Sequence, residues 1–163
     1  YRVPGRSNVA NYVKLVMNKK GHAILAWEQY ADGPVEEMND LYMAEYNNGS
    51  WKKPQSTADK LNFTGVDYMT GTSIAMDDAG DVIFAFAQGS QLYKMERKNN
   101  VWSARATSTT ERNNPPGAVF YPQVAMDNNS KASIFYLVRT KEGMGLYHSD
   151  YSGGQWAHPQ SVK

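Results

Sequence analysis

Apolar residues along this chain come in short runs that alternate with polar ones, and one composite pattern occurs three times. Val13-Lys-Leu-Val-Met-Asn-Lys-Lys-Gly-His-Ala-Ile-Leu-Ala-Trp27 is matched by Thr72-Ser-Ile-Ala-Met-Asp-Asp-Ala-Gly-Asp-Val-Ile-Phe-Ala-Phe86. Pro122-Gln-Val-Ala-Met-Asp-Asn-Asn-Ser-Lys-Ala-Ser-Ile-Phe-Tyr136 is the third. Each reads as an alternating strand ending in Met, a polar turn, and a strongly apolar strand. Further along, Leu41-Tyr42 leads to Trp51, Leu92-Tyr93 to Trp102, and Leu146-Tyr147 to Trp156. The three tyrosines stand 51 and 54 residues apart, and the three tryptophans repeat both intervals, whereas the methionines are 59 and 50 apart. Two anchors sharing one spacing indicate an internal repeat.

The repeat predicts four strands per unit, in the first near residues 12–17, 22–29, 40–46 and 50–57. Asn-Lys-Lys-Gly and Asp-Asp-Ala-Gly supply turns between the first two strands, and Asn-Asn-Gly and Ser-Gly-Gly between the last two. Gly21 and Gly80 suit a left-handed backbone. Ser130 stands at that place in the third unit, so its turn is expected to differ or to be strained. No segment holds a 3.6-residue apolar period for the length of a helix. The second strands, Ala23–Trp27 and Val82–Phe86, are apolar on both faces, as a sheet covered on both sides requires. The expected fold class is all-β: β-propeller blades, three four-stranded antiparallel repeats forming an incomplete ring or half of a six-bladed assembly. Residues 1–163 then form one partial propeller, with 1–9 the tail of a preceding blade and blades at 10–60, 61–110 and 111–163. Tyr1-Arg-Val-Pro4 supports that tail, because it repeats the spacing of Trp51-Lys-Lys-Pro54 and Trp156-Ala-His-Pro159. A two-layer β-sandwich is the alternative.

Val124-Ala-Met-Asp, the apolar strand after it, Leu146-Tyr147 and Gly154-Gln-Trp156 together resemble the blades of sialidase-like bacterial propeller proteins. The Asp-x-x-Gly turn is similar to the sialidase Asp-box without reproducing it. The resemblance covers nearly the whole chain as repeats and implies an exported protein, secreted, periplasmic or on the cell surface. Sialidase chemistry would require an arginine cluster, a Tyr–Glu nucleophile pair and an Asp acid/base. Only Arg112 and Arg139 are expected near the loop face, the other arginines falling on outer strands or the N-terminal tail, so this segment alone is not expected to be a sialidase.

Charge and composition narrow the partners. With 17 Lys plus Arg against 16 Asp plus Glu there is no basic block to neutralise phosphates, and nucleic acid is not an expected partner. The longest apolar run, Val82–Ala87, is far short of the roughly 20 residues of a membrane span. Cysteine is absent, which removes disulfides, thiolate metal sites and cysteine nucleophiles. No cofactor is expected. Asp77, Asp78 and Asp81 could supply oxygen ligands to calcium, but the first unit has Asn18, Lys19 and His22 there. An Asx-turn accounts for Asp77 and Asp127, so no metal site is expected. His22, His148 and His158 read as surface residues.

Strand alternation places the long loops, residues 30–39, 61–71, 110–121 and 139–145, on one face, where function is expected. The ligand-binding candidates there are Glu28, Asp32, Asp67, Tyr68, Arg112, Tyr121 and Arg139. Glu36 and Glu37 read as solvated surface, and Tyr68 and Tyr121 are taken as equivalent entries to a first strand. The expected function is a non-catalytic binding or interaction module for a glycan or protein. A glycoside hydrolase or lyase completed by other blades or a second subunit is the alternative. Three blades are too few to close a ring, so a homodimer or the remaining blades of a longer chain is the expected partner.

Overall fold

The computed structural model describes residues 3–4, 6–31, 39–62, 69–103, 106–107 and 116–162. They form three antiparallel sheets, each a meander of consecutive strands. The first contains β1 (Arg6–Met17), β2 (Ala23–Ala31), β3 (Asn39–Asn47) and β4 (Ser50–Lys52). The second contains β5 (Met69–Met76), β6 (Val82–Gln88), β7 (Gln91–Lys98), β8 (Val101–Trp102) and β9 (Ala106–Thr107). The third contains β10 (Ala118–Met126), β11 (Ala132–Thr140), β12 (Gly143–Ser152), β13 (Gln155–Trp156) and β14 (Gln160–Ser161).

The outer strand is shorter than the expected 50–57. In the second and third sheets it is broken, β8 and β9 both pairing with β7, and β13 and β14 both with β12. In the first sheet the chain leaves β4 for a single 3-10 turn, Thr57–Asp59. Ser56 caps it, and the Asp59 carboxylate accepts from the Gln55 and Ser56 amides.

The turns between the first two strands share one mechanism. Asn18 Oδ1 accepts from the amides of Lys20 and His22, Asp77 Oδ1 from Gly80 and Asp81, and Asp127 Oδ1 from Asn129 and Lys131. Each is an Asx-turn in which one short side chain satisfies two backbone donors. Gly21 and Gly80 have φ of 78° and 96°, and Ser130 adopts the same left-handed conformation at 57°. The third turn therefore keeps the shape of the others, with the strain carried by Ser130.

Side-chain alternation then decides how the sheets meet. One face of the first sheet (Ile24, Ala26, Leu41) forms a core with Ile74, Val82, Phe84, Phe86, Tyr93 and Met95 of the second. The opposite face of the second (Ile83, Ala85, Ala87, Leu92) packs on Ile134, Tyr136, Val138 and Tyr151 of the third. The middle sheet is thus covered on both sides, and every residue of β6 is buried. That arrangement is three sheets in series; the two facing layers of a sandwich are not formed. Trp27, Phe86 and Tyr136 are all core residues. In the third sheet β11 alternates, with Phe135 and Arg139 exposed, because no further sheet among the described residues covers that side.

Two expectations about charged groups are overturned. His22 is buried, not on the surface, and Arg97 lies buried at the end of β7 instead of on an outer strand. The Arg97 guanidinium donates to the Gly80 carbonyl at 2.9 Å and to Asn100 Oδ1 at 2.8 Å. It also contacts His22 Nδ1 at 3.3 Å and lies 3.6 Å from Glu45 of the first sheet. Sequence position gave no hint, because Arg97 becomes interior only when the second sheet docks on the first. Burial, and after it the guanidinium, holds the His22 pKa below its ordinary value.

Candidate functional site

The first strands of the three sheets lie side by side, β5 packing against both β1 and β10. Each carries a bulge at the same offset from its terminal Met, where pairing with the second strand slips: between Asn11 and Lys14, between Met69 and Thr72, and between Phe120 and Gln123. The bulge residues are Tyr12, Gly71 and Tyr121, with φ of 51°, 124° and 50°. Glycine occupies such a conformation freely, whereas a tyrosine held there is strained by about 1 kcal/mol or more. Both tyrosines nevertheless project their rings outward, 61% and 60% exposed. Gly71 has a further reason to lack a side chain: a Cβ there would lie 3.2 Å from the Tyr121 Cα.

Around these bulges opens a cleft of about 380 Å³, a volume suited to a small ligand. Tyr12 and Tyr121 contribute aromatic faces; Lys14, Thr70, Thr72, Gln123 and Arg139 contribute polar groups. Thr72 Oγ1 is buried without a hydrogen-bond partner, so the cleft wall holds one unused polar atom. The Arg139 guanidinium lies over the Phe120 ring, 4.6 Å from its centre, a cation–π contact that holds the charge at the cleft. Thr70 Oγ1 donates to the Val119 carbonyl at 3.1 Å and ties the second sheet to the third beneath the cleft.

Of the residues singled out from sequence, Tyr121 and Arg139 meet at this cleft. Glu28 does not line it. Its carboxyl is buried between strands, accepts from Asn39 Nδ2 at 3.2 Å, and has its pKa raised by burial. Asp32, Asp67, Tyr68 and Arg112, like Glu36 and Glu37, lie outside the described residues. The residue equivalent to Tyr121 is Tyr12 in the first sheet and Gly71 in the second, which displaces the expected pairing of Tyr121 with Tyr68. Sequence reasoning missed Tyr12 and Lys14, although Tyr12 precedes Met17 by the same interval as Tyr121 precedes Met126. The described lining residues include two cations and no carboxylate. Among the described residues no group of three or more His, Cys, Asp or Glu could hold a metal ion, and no helix is long and apolar enough to cross a membrane.

No protein-family model and no curated protein matches the chain. Among solved structures it is similar to the Hadza microbial sialidase Hz136, with a TM-score of 0.69 at 12% identity over 97% of this chain. The chain spans 38% of that sialidase's length. A fucose lectin from Kordia zhangzhouensis in complex with methyl-fucoside gives a TM-score of 0.49 at 10% identity, covering 89% of this chain and 95% of the lectin. A protein of unknown function from Dyadobacter fermentans DSM 18053 gives 0.44 at 9% identity, covering 98% and 74%. At this identity, the first likeness concerns the fold: an all-β chain of successive antiparallel sheets arranged as in a sialidase.

Proposed function

We propose that the three sheets are consecutive blades of a sialidase-like propeller and that the inner cleft binds a glycan without cleaving it. The observation that carries this reading is the pair of exposed tyrosines, each held in a left-handed conformation at the same bulge. Strain kept at two equivalent sites beside a cleft is best understood as serving a ligand. A tyrosine ring can cover the C–H face of a pyranose, and hydroxyls around the ring can pair with Gln123, Thr72, Lys14 and Arg139. Two cations in the lining suit a sugar that bears a carboxylate or sulfate. Export from the cytoplasm is part of the proposal, since glycans of that kind are met outside the cell.

A glycan array probed with the chain, followed by titration of the best ligand against Tyr12→Ala and Tyr121→Ala, tests the proposal. Each substitution should weaken binding about fivefold or more, the equivalent of the roughly 1–3 kcal/mol that an aromatic stacking platform contributes. Binding that is absent, or unchanged in both variants, would overturn it. So would hydrolysis of chromogenic glycosides abolished by Glu28→Gln, which would favour the enzymatic alternative.

A further inference from the structure

The hydroxyl-bearing residues of β5 divide by what they bond to. Thr70 Oγ1 donates to the Val119 carbonyl at 3.1 Å, and Ser73 Oγ accepts from the Val124 amide at 3.0 Å. Both tie the second sheet to the third. Thr72 does neither. It is 2% exposed, and its Oγ1 is buried without a hydrogen-bond partner. The other described residues with a buried, unpartnered side-chain atom are His22, Glu28, Asn39 and Arg97, and none of them lines the inner cleft. Thr72 lines it.

The other two repeats show what this position needs structurally. Thr72 follows the bulge residue Gly71, and the residues after the equivalent Tyr12 and Tyr121 are Val13 and Pro122. Both are apolar, and Pro122 is buried, so the strand can be built there without a hydroxyl. Valine matches threonine in branching and in its preference for strands, and it would avoid the cost of a buried unpaired hydroxyl. Gly71 departs from the repeat at the same place, since the other two bulges carry exposed tyrosines. Two adjacent departures, one removing a ring and the next adding an unsatisfied hydroxyl, therefore fall on the middle of the three strands around the cleft.

Strand register shows where the hydroxyl is aimed. Thr72 pairs with Phe86, which places its side chain with Ile74 and Phe86 on the face that meets the first sheet. Lys14 pairs with Ala26 and so lies on the face of the first sheet that meets the second. The two border one gap from opposite sides, Thr72 buried and Lys14 half-buried. Arg139, on the third sheet, is exposed. Both cations thus keep water, while the water-excluded wall offers a single neutral group. An uncharged hydroxyl or amide can bond there, whereas an ionised group would give up its water for one neutral bond. We propose that Thr72 is the specificity-determining residue of the cleft: its hydroxyl bonds one uncharged hydroxyl or amide of the glycan, while Lys14 and Arg139 attract the anionic group. The inference rests on the glycan reading above and names the part of the sugar that is read at the buried wall. Attraction by the cations is screened by salt; the bond to Thr72 is not.

An array of carboxylated and sulfated glycans, probed with the wild type, Thr72→Val and Thr72→Ser, tests it. Thr72→Val keeps the shape and removes the hydroxyl, and it should unfold at no lower temperature than the wild type, because no bond within the fold is lost. Its affinity for the strongest glycan should fall about two- to tenfold, the equivalent of one uncharged hydrogen bond, while Thr72→Ser keeps the wild-type affinity. Derivatives of that glycan lacking one hydroxyl or amide each locate the contact: one of them should bind the wild type and Thr72→Val equally. Added salt should weaken the wild type and Thr72→Val by the same factor. Earlier unfolding of Thr72→Val, wild-type affinity in it, or an equal loss for every derivative would each overturn the inference. If Tyr12→Ala and Tyr121→Ala still weaken binding in that case, the glycan reading stands without it. A wild-type chain that binds nothing on the array overturns that reading, and this inference with it.

Discussion

Replacing Arg97 with leucine is the sharpest test of how the first two sheets are joined. The substitution keeps the apolar stem and removes the guanidinium, leaving the Gly80 carbonyl and Asn100 Oδ1 without their donors and Glu45 without its counter-charge. Breaking a buried charged pair by removing one partner costs about 3–5 kcal/mol. The lower end applies, since the Glu45 side chain keeps partial solvent contact and water can take up its charge. A loss of about 3 kcal/mol corresponds to a fall of about 6–12 °C in Tm for a chain of this length. Urea and thermal unfolding, followed by tryptophan fluorescence at one fixed protein concentration, measure it; the concentration is fixed because association would shift the transition. A second readout comes from His22. Burial and the guanidinium lower its pKa in the folded chain, so the unfolded chain takes up the proton first as pH falls. The wild type therefore loses stability as the pH drops through the ordinary histidine range. Removing Arg97 removes one of the two causes, so the difference in stability between about pH 7.5 and about pH 5.5 should shrink. A loss below about 1 kcal/mol at neutral pH, or Arg97→Lys behaving like the wild type, would refute the view that a multiply bonded guanidinium braces this joint.

Other outcomes follow from single positions. Glu28 has its folded-state pKa raised by burial, so its contribution favours the fold below the ordinary glutamate range and is lost as pH rises through the raised value. Glu28→Gln should then be more stable than the wild type at about pH 8 and show no such gain at about pH 4, read by urea unfolding. Gly71→Ala places a Cβ against the Tyr121 backbone at a left-handed φ; it should lower stability by about 1–3 kcal/mol and weaken ligand binding together. Tyr121→Gly should separate those effects, raising stability by about 1 kcal/mol while losing the ligand. Ser130→Gly relieves similar strain but loses the Ser130 Oγ hydrogen bond to Asp77 Oδ2, so stability should change by less than about 1 kcal/mol and binding should be untouched, since its turn lies outside the cleft lining.

The expected strand order within each unit is the one observed, because alternation, turn chemistry and doubly apolar second strands are properties of neighbouring residues. Asn18, Asp77 and Asp127 shape their turns through hydrogen bonds to backbone only two to four residues away, and so they are legible in any local window. Even there tertiary context intervened, holding Ser130 in a conformation that a residue by itself avoids.

What only the folded chain decided are the contacts between residues far apart in sequence. His22 and Arg97 are 75 residues apart and looked like surface groups until two sheets closed over them. Tyr12 and Tyr121 became the two walls of one cleft only because three bulged strands lie side by side, while Glu28 lies buried on the second strand, outside that cleft. Local sequence sets which face of a strand is apolar; docking of sheet on sheet sets which of those faces, and which charges beside them, lose their water.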